Sequence, residues 1–515
     1  MDEKNIIAVN TSSFKSFIFH NRRNHIILWI AVSAIVIQFA VFKFFYPYAS
    51  YIHGDSFAYL ETAEKNLSIN TYMIGYSMFL RAFSAFTNSD TLLVAFQYLS
   101  LQASALFLLF TLFYLYNPGK IIQIILFCFM VINPLFLYLG NVISSDALFA
   151  ALSVTWFSLL LWIIHRPSSR LIACHTAVIF ISFTFRYNAL IYILISIIAF
   201  TLSRQIILKK LIGITAAGLS IGLFILHTGN LFQQLTGNWQ YSPFAGWQLA
   251  NNAMYAYRYV DSADRSPVPK RFRNLDNMIR TYFDNTRDTA KYPIEKIMAS
   301  TFYMWSPRLP LYQYRETVAF KGDTISSELK KWASMGPIYK DYGLYIIWKY
   351  PKHYARYFLW PNSQKYYAPP VEFLESYNSD RDSVAPIAQA WFHYKTGAVN
   401  TRTRGKKITM LNFYPILSGV INVVMLFALL SFAMLGGFNK DTKFRKGVFL
   451  AGMLWLLNAG FTIFASSAAL RFQVFPILLS MTFMSLLIDW LAQMATVKQD
   501  IKPSPTTDLS TTLPA

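Results

Sequence analysis

Charged side chains lie beside the ends of long apolar segments in this chain, and their types suit group-transfer chemistry. Asp55 follows the first apolar segment in "YIHGDSFAYLETAEKN", and Asp146 precedes the fourth in "NVISSDALF". Arg186 in "FRYN" and Arg471 in "SSAALRFQVFP" lie at the ends of later segments. An aspartate can accept a proton from an attacking hydroxyl or amine, and arginines can stabilise the charge of a leaving phosphate. We therefore predict Asp55 and Asp146 as catalytic residues, with Asp55 as the base.

Several further side chains are candidates for substrate binding. Those predicted to contact a lipid phosphate or a sugar are Arg81, Arg186, Arg471, His53, Tyr59 and Trp247. Structural interpretations compete with these predictions. An arginine at a helix end can anchor the helix at the membrane interface, and Asp146 can cap its helix.

The composition places these residues in a membrane protein. Hydrophobic residues make up 55% of the chain, which is more than a soluble protein of this size could bury. Apolar segments near the roughly 20 residues that cross a bilayer recur at 26–45, 92–116, 120–139, 146–164, 171–187, 188–202, 206–228, 411–435, 447–468 and 471–492. We expect an all-α polytopic membrane protein with about ten transmembrane helices.

The basic residues indicate how the chain is oriented. The formal net charge is +21, and Lys and Arg are concentrated in the short loops on the side of the N-terminus. Short cytoplasmic loops carry such an excess, so we expect both termini in the cytoplasm and the Asp55 loop outside. The charge therefore does not indicate a nucleic-acid partner. It suits a bacterial inner membrane with a periplasmic site.

Changes in composition divide the chain into five parts. The predicted parts are a cytoplasmic N-terminus (1–25), a seven-helix membrane block (26–228) with a catalytic first outer loop (46–91), an external domain (229–408), a three-helix membrane block (409–492) and a disordered cytoplasmic tail (493–515). The outer loop contains two short amphipathic patterns, which are expected to lie in the membrane interface. The external domain is predicted to be mainly α-helical. Its aromatic and amide side chains suit sugars, although an ordinary aromatic-rich domain would have the same composition.

The sequence has neither a glycine-rich nucleotide loop nor a zinc motif. The stretch "HGDSF" has one acid, so we predict no metal site within that loop. A divalent metal shared between Asp55 and Asp146 is the alternative. Cys128 and Cys174 are too few for a disulfide framework.

The motifs follow one another in a recognisable order. The first span precedes "GDSFAYLETA" and "INTYMIGYSMFLRAF", and later come "NPLFLYLGNVISSDALF" and "FRYNALIY". Over roughly residues 20–230 this order resembles the GT-C superfamily of integral-membrane glycosyltransferases. It looks closest to bacterial relatives of the protein O-mannosyltransferases and of the lipid A aminoarabinose transferase.

The resemblance implies a function and a fold. In that superfamily an acid of the first external loop is catalytic, and Asp55 occupies the corresponding place. The implied donor is a polyprenyl-phosphate-linked sugar, transferred with inversion to a lipid, glycan or protein acceptor at the outer face. The implied fold is a helical bundle with interfacial helices and an external domain.

Two other functions compete with glycosyl transfer. An O-antigen-type polymerase or ligase would depend on basic residues of the external region, such as Arg308 or Arg315. A flippase or other transporter of lipid-linked sugar would be expected to have repeated halves and broken helices near the bilayer midplane. The sequence has no evident halves, and its conspicuous charges are predicted at one face.

Overall fold

The computed structural model describes residues 13–440 and 443–499, and within them the chain forms helices without any strand. Eight helices of this described part are long and apolar enough to cross a membrane: Arg22–Phe45, Asp90–Tyr116, Lys120–Gly140, Asp146–His165, Ile207–Thr236, Tyr414–Met434, Phe444–Ala465 and Val474–Thr496. The chain is therefore an α-helical polytopic membrane protein.

Two shorter apolar helices, Ser169–Phe185 and Tyr187–Leu202, occupy the predicted pair of spans at 171–202. Arg186 separates them in extended backbone, with φ −151° and ψ 139°. Each is shorter than the roughly 20 residues that a full crossing requires. The total of about ten crossing helices therefore stays a prediction.

The membrane helices differ in how much of their surface other helices cover. Asp146–His165 lies at the centre, and 83% of the residues in its apolar 18-residue stretch are buried. In Arg22–Phe45 the corresponding share is 17%. The central helix packs Trp156 against Tyr192 of a neighbouring helix, with stacked rings whose centroids are 4.0 Å apart. Exposed apolar side chains on the outer helices are those expected to face lipid.

Residues 46–91, predicted as the first outer loop and called by that name below, contain the short helices Asp55–Glu64 and Gly75–Ser84. Leu60, Tyr76 and Leu80 are buried between them and the bundle. Gly75 allows the second helix to approach closely, because a Cβ there would lie 2.5 Å from Thr184 Oγ1. The loop is thereby packed onto the end of Ser169–Phe185, the helix that precedes Arg186.

Residues 229–408, predicted to be external and called the external region below, consist of two parts with different neighbours. Its first part has an aromatic core of its own, and the longer helices there are Pro243–Tyr257, Arg273–Asn285, Gly336–Lys349 and Trp360–Tyr367. Its second part, residues 370–408, lies on the first outer loop. There Tyr377 Oη donates to the Ala49 carbonyl at 3.1 Å, and the hydroxyls of Tyr51 and Tyr394 are 3.0 Å apart.

Two predicted boundaries differ from the structure. The helix Ile207–Thr236 continues past residue 228 into the predicted external domain. The last helix, Val474–Gln499, continues past residue 492, so residues 493–499 are helical rather than part of a disordered tail. Residues 1–12 of the predicted N-terminal part and residues 500–515 of the predicted tail lie outside the described residues.

Candidate functional site

The structure brings together Asp55, Asp146, Arg186 and Arg471 in one row of alternating charges, here called the charge cluster. Arg471 Nη2 lies 2.8 Å from Asp55 Oδ2, and Arg471 Nη1 lies 3.4 Å from Asp146 Oδ2. The other oxygen of Asp146 pairs with Arg186 Nη1. The four formal charges sum to zero, and Arg471 bridges the two acids.

Asp55 is placed by a turn that requires glycine. It is the first residue of its helix and follows Gly54, whose φ of +94° is costly for other residues. The free N–H groups at a helix N-terminus favour an ionised carboxylate. The preceding residues are fixed to the rest of the site: Ser50 N donates to Asn141 O at 2.8 Å, and Ile143 N donates to Ser50 O at 3.0 Å.

Asp146 also begins a helix, but its carboxylate is used mainly for arginine binding. Ser144 Oγ donates to Asp146 Oδ2 at 2.9 Å, which fixes the side chain beside both guanidinium groups. Ser145, the residue before the helix, makes no side-chain cap. Its hydroxyl lies 3.1 Å from that of Tyr59 in the first outer loop. Helix capping alone therefore does not explain the contacts that the Asp146 carboxylate makes with the two arginines.

Arg471 lies in a short turn, Leu470–Phe472, between the last two membrane helices. The turn is fixed by the external region, since Leu470 N donates to Pro370 O at 2.9 Å. Asn362 fixes the chain before it and is fully buried. Its Nδ2 donates to the carbonyls of Thr462, Ile463 and Ser466 at 3.1, 2.9 and 2.5 Å, and its Oδ1 accepts from Ala468 N at 3.1 Å.

Aromatic rings flank both arginines of the charge cluster. The Arg471 guanidinium carbon lies 4.4 Å from the ring centroids of Phe373 and Phe472. Phe472 also lies 4.5 Å from the guanidinium carbon of Arg186. Such cation–π contacts stabilise a guanidinium group while restricting its orientation.

The exposure of the four side chains separates their possible roles. Asp55 and Arg186 each retain 22% of their side-chain surface, whereas Arg471 retains 7% and Asp146 retains 2%. A substrate can therefore reach Asp55 and Arg186. The Asp146 carboxylate is covered by the two arginines, and these contacts suit a residue that positions them. A catalytic role of Asp146 stays a prediction.

Tyr72 is a site residue that the sequence analysis missed. Its hydroxyl donates to Asp55 Oδ1 at 2.7 Å, and burial, followed by the charge of Asp55, raises its pKa well above the usual value. The hydroxyl therefore stays protonated at neutral pH. Phe244 and Trp305 of the external region each lie 6.1 Å from the Tyr72 ring, and the three rings form an aromatic wall beside Asp55.

Two predicted binding residues, Trp247 and Arg81, make their contacts outside the charge cluster. Trp247 is fully buried, donates from Nε1 to Trp332 O at 2.9 Å and stacks on the Trp332 ring. No ring face is left for a sugar, so the prediction for Trp247 is wrong. Arg81 is exposed and donates from Nη1 to Ala63 O at 3.1 Å near the end of Asp55–Glu64, so its role in substrate binding stays a prediction.

Tyr59 and His53 lie near Asp55 in the chain but not in the charge cluster. Tyr59 is 8% exposed, and burial raises its pKa to about 12, so it acts as a neutral packing residue against Tyr72. His53 is exposed and lies beside the ring of Phe57 at a centroid distance of 5.8 Å. It lines a separate pocket.

The donor set of the charge cluster does not fit a divalent metal shared by Asp55 and Asp146. Arg471 occupies the position between the two carboxylates, and its positive charge would oppose a cation there. Across residues 13–440 and 443–499, no group of three or more His, Cys, Asp or Glu side chains could hold a metal ion.

Comparisons with known proteins give no match. No protein-family profile matches the chain, and neither a curated protein nor a solved structure is significantly similar to it.

Proposed function

We propose that the protein is a membrane glycosyltransferase that moves a sugar from a polyprenyl-phosphate donor to an acceptor hydroxyl or amine. The observation that carries the proposal is the connection of a partly exposed Asp55, through Arg471 and Asp146, to an equally exposed Arg186. A base and a phosphate-binding cation are the two groups that the reaction needs. The motif order that resembles the GT-C superfamily supports the same activity.

The reaction can be written with the residues of the site. Asp55 accepts the acceptor's proton as the acceptor oxygen or nitrogen attacks the anomeric carbon of the sugar. The bond from that carbon to the phosphate oxygen breaks, and its electron pair leaves with the lipid phosphate. Arg186 stabilises the charge that develops on that phosphate. A single displacement inverts the anomeric carbon.

The remaining residues position the reacting groups. Tyr72 and Arg471 each donate to one oxygen of Asp55 and so fix the direction of its free lone pairs. The wall of Tyr72, Phe244 and Trp305 offers flat apolar surface for the C–H face of the donor sugar. Partner molecules are the lipid-linked donor, a glycan, lipid or protein acceptor, and the surrounding membrane lipids.

The proposed location is the inner membrane of a bacterium. The basic loops support cytoplasmic termini and a periplasmic charge cluster. A site at the outer end of the bundle would meet a lipid phosphate at the depth of the headgroups.

The replacement of Asp55 by asparagine tests the proposal. Asp55→Asn keeps the size of the side chain and removes the base, so transfer of labelled sugar from a polyprenyl-phosphate donor should fall by about 100-fold or more. Donor binding should persist. Glu61→Gln is the matched control, because Glu61 lies on the same helix, is half exposed and pairs with Lys65 at the surface. Undiminished transfer by Asp55→Asn at equal protein amounts would reject the mechanism.

The competing functions have less support in the contacts. Arg315, which a polymerase or ligase would be expected to use, is 5% exposed and pairs with Glu316 and with Glu328 at 3.0 Å. The charge cluster joins the ends of helices, whereas a transporter would be expected to have its charges near the bilayer midplane. We therefore propose neither.

A further inference from the structure

A polar pocket lies beside the first outer loop. None of the residues that line it belongs to the charge cluster. Its volume is about 120 Å³, several times what one water molecule needs. Its lining includes the polar His53, Asn378, Arg381 and Ser383 and the aromatic Tyr51 and Phe57. The pocket is large enough for a compact polar group such as phosphate or carboxylate.

Three of the polar side chains have hydrogen-bond donors to spare. Among the described residues, the Arg381 guanidinium, the His53 ring and the Ser383 hydroxyl form no side-chain hydrogen bond and no ion pair. Asp382, next to Arg381 in sequence, pairs instead with Lys406 Nζ at 2.6 Å. Neither Asp380 nor Asp382 lines the pocket. The pocket therefore has a cation and further donors without a carboxylate among its lining residues.

The backbone around the pocket is fixed in an uncommon conformation. Asn378, Ser379 and Asp380 have φ values of 51°, 51° and 64°, and such left-handed geometry is unfavourable for residues other than glycine. Hydrogen bonds to the first outer loop hold it: Asn378 N donates to Ser50 Oγ at 2.9 Å, and Ser379 Oγ donates to Tyr51 O at 3.0 Å. These hydrogen bonds join the segment that contains Arg381 to the segment that contains His53, and both residues line the pocket.

We propose that this pocket is an anion-binding site that takes a phosphate or carboxylate group through Arg381, His53 and Ser383. Arginine binds such oxyanions with its planar fork, and a hydroxyl and an imidazole N–H can donate to the remaining oxygens. The ring of Phe57, which stacks on the buried ring of Tyr51 with centroids 5.7 Å apart, offers an apolar surface for the rest of the ligand. The assignment is independent of the reaction proposed for Asp55.

The behaviour of His53 is consistent with this assignment. Burial and the nearby Arg381 lower the pKa of His53, so its ring is neutral at neutral pH. A bound anion would offset the charge of Arg381 and favour the protonated ring, because opposite charges stabilise each other. His53 is therefore a reporter of anion binding that requires no enzymatic activity.

The test uses the full chain in nanodiscs with histidine rings labelled by carbon-13, and His53→Gln assigns the His53 signal. In one arm, inorganic phosphate is titrated into phosphatidylcholine nanodiscs at constant ionic strength. In the other, phosphatidylglycerol replaces part of the phosphatidylcholine, without added phosphate. We expect a saturable shift of the His53 signal in at least one arm. The phosphate arm would identify a soluble ligand group, and the lipid arm would identify a headgroup.

Substitutions then connect the shift to the pocket. Arg381→Gln should weaken binding by about tenfold or more, as expected for the loss of a charged hydrogen-bond donor. Arg404→Gln is the matched control, since Arg404 is exposed in the same part of the chain and does not line the pocket. The proposal is overturned if neither arm shifts the signal, or if both substitutions weaken binding equally.

Discussion

Arg471 contacts both acids of the charge cluster, and few residue types could do so. Its two terminal nitrogens lie 2.8 Å from Asp55 and 3.4 Å from Asp146. A lysine has one nitrogen and no planar fork, so it could not bridge the acids in the same way. Burial opposes the charged form of Arg471, but the carboxylates of Asp55 and Asp146 more than offset this effect and raise its pKa above the usual value. The guanidinium therefore keeps its charge at any physiological pH.

Replacing Arg471 tests this bridging role. Arg471→Met leaves the buried Asp146 with one arginine and Asp55 with none, and breaking a buried ion pair typically costs about 3–5 kcal/mol of stability. We expect a loss of that size in the free energy of unfolding, measured by denaturant titration in detergent. Adding Asp55→Asn and Asp146→Asn should recover part of it, because the unpaired charges are then removed.

The surface pair of Arg271 and Asp341 provides the control for this measurement. Its atoms lie 2.9 Å apart, and the side chains are 64% and 43% exposed. Exposed ion pairs contribute about 0–1 kcal/mol, so Arg271→Met should have little effect. Equal destabilisation by both substitutions would contradict the role of Arg471 as a buried bridge.

Some residues of the site could be selected from the sequence, and others could not. Asp55, Arg186 and Arg471 could be selected because ionisable groups near a bilayer need partners. Tyr72 could not, since the chain has 32 tyrosines and no spacing rule separates this one from the others. The misassignment of Trp247 has the opposite cause, because aromatic side chains that suit a sugar also suit a core.

At the scale of elements, Asn362 connects the external region to the turn that carries Arg471. Its buried amide makes four hydrogen bonds to backbone atoms between residues 462 and 468. The last carbonyls of a membrane helix need partners, and here one side chain supplies them. The external region therefore helps to place an arginine of the charge cluster.

Asn362→Ala should reduce both stability and transfer. Loss of the amide leaves the carbonyls of Ile463 and Ser466 without their side-chain donor and Ala468 N without its acceptor, at about 1–3 kcal/mol for each group left unpaired. We expect a lower midpoint of thermal unfolding together with a turnover that falls more than donor affinity, as measured by steady-state kinetics. Asn458→Ala is the control, since Asn458 donates once, to Tyr366 Oη at 3.1 Å. The same kinetic effect in both variants would show that the turn does not depend on Asn362.

Elements were predictable where one physical requirement sets the pattern. The thickness of a bilayer fixes the length of apolar runs, and for this reason eight helices match predicted spans. The packing of residues 370–408 on the first outer loop was not predictable. It depends on contacts such as Tyr394 with Asp90 at 2.8 Å, between residues 304 positions apart, and local periodicity carries no information on such pairs.

At the scale of the whole molecule, the orientation can be measured directly. Cys128 and Cys174 are exposed on apolar helices and can be replaced by serine to give a cysteine-free background. Glu64→Cys, in the first outer loop, should react with a membrane-impermeant maleimide added outside intact cells. Arg204→Cys should react only after permeabilisation. The reverse pattern, or labelling of both from outside, would contradict the proposed orientation.

The charge cluster also has a consequence for the order in which the chain is made. Asp55 and Arg471 are separated by 416 positions, and Arg471 belongs to the turn before the last membrane helix. During synthesis the two acids and Arg186 enter the membrane first and hold a net negative charge among them. The missing cation arrives only when the final pair of helices inserts. An incompletely inserted chain therefore lacks the bridge between the acids, and the site forms only when the two helices that flank Arg471 are in place.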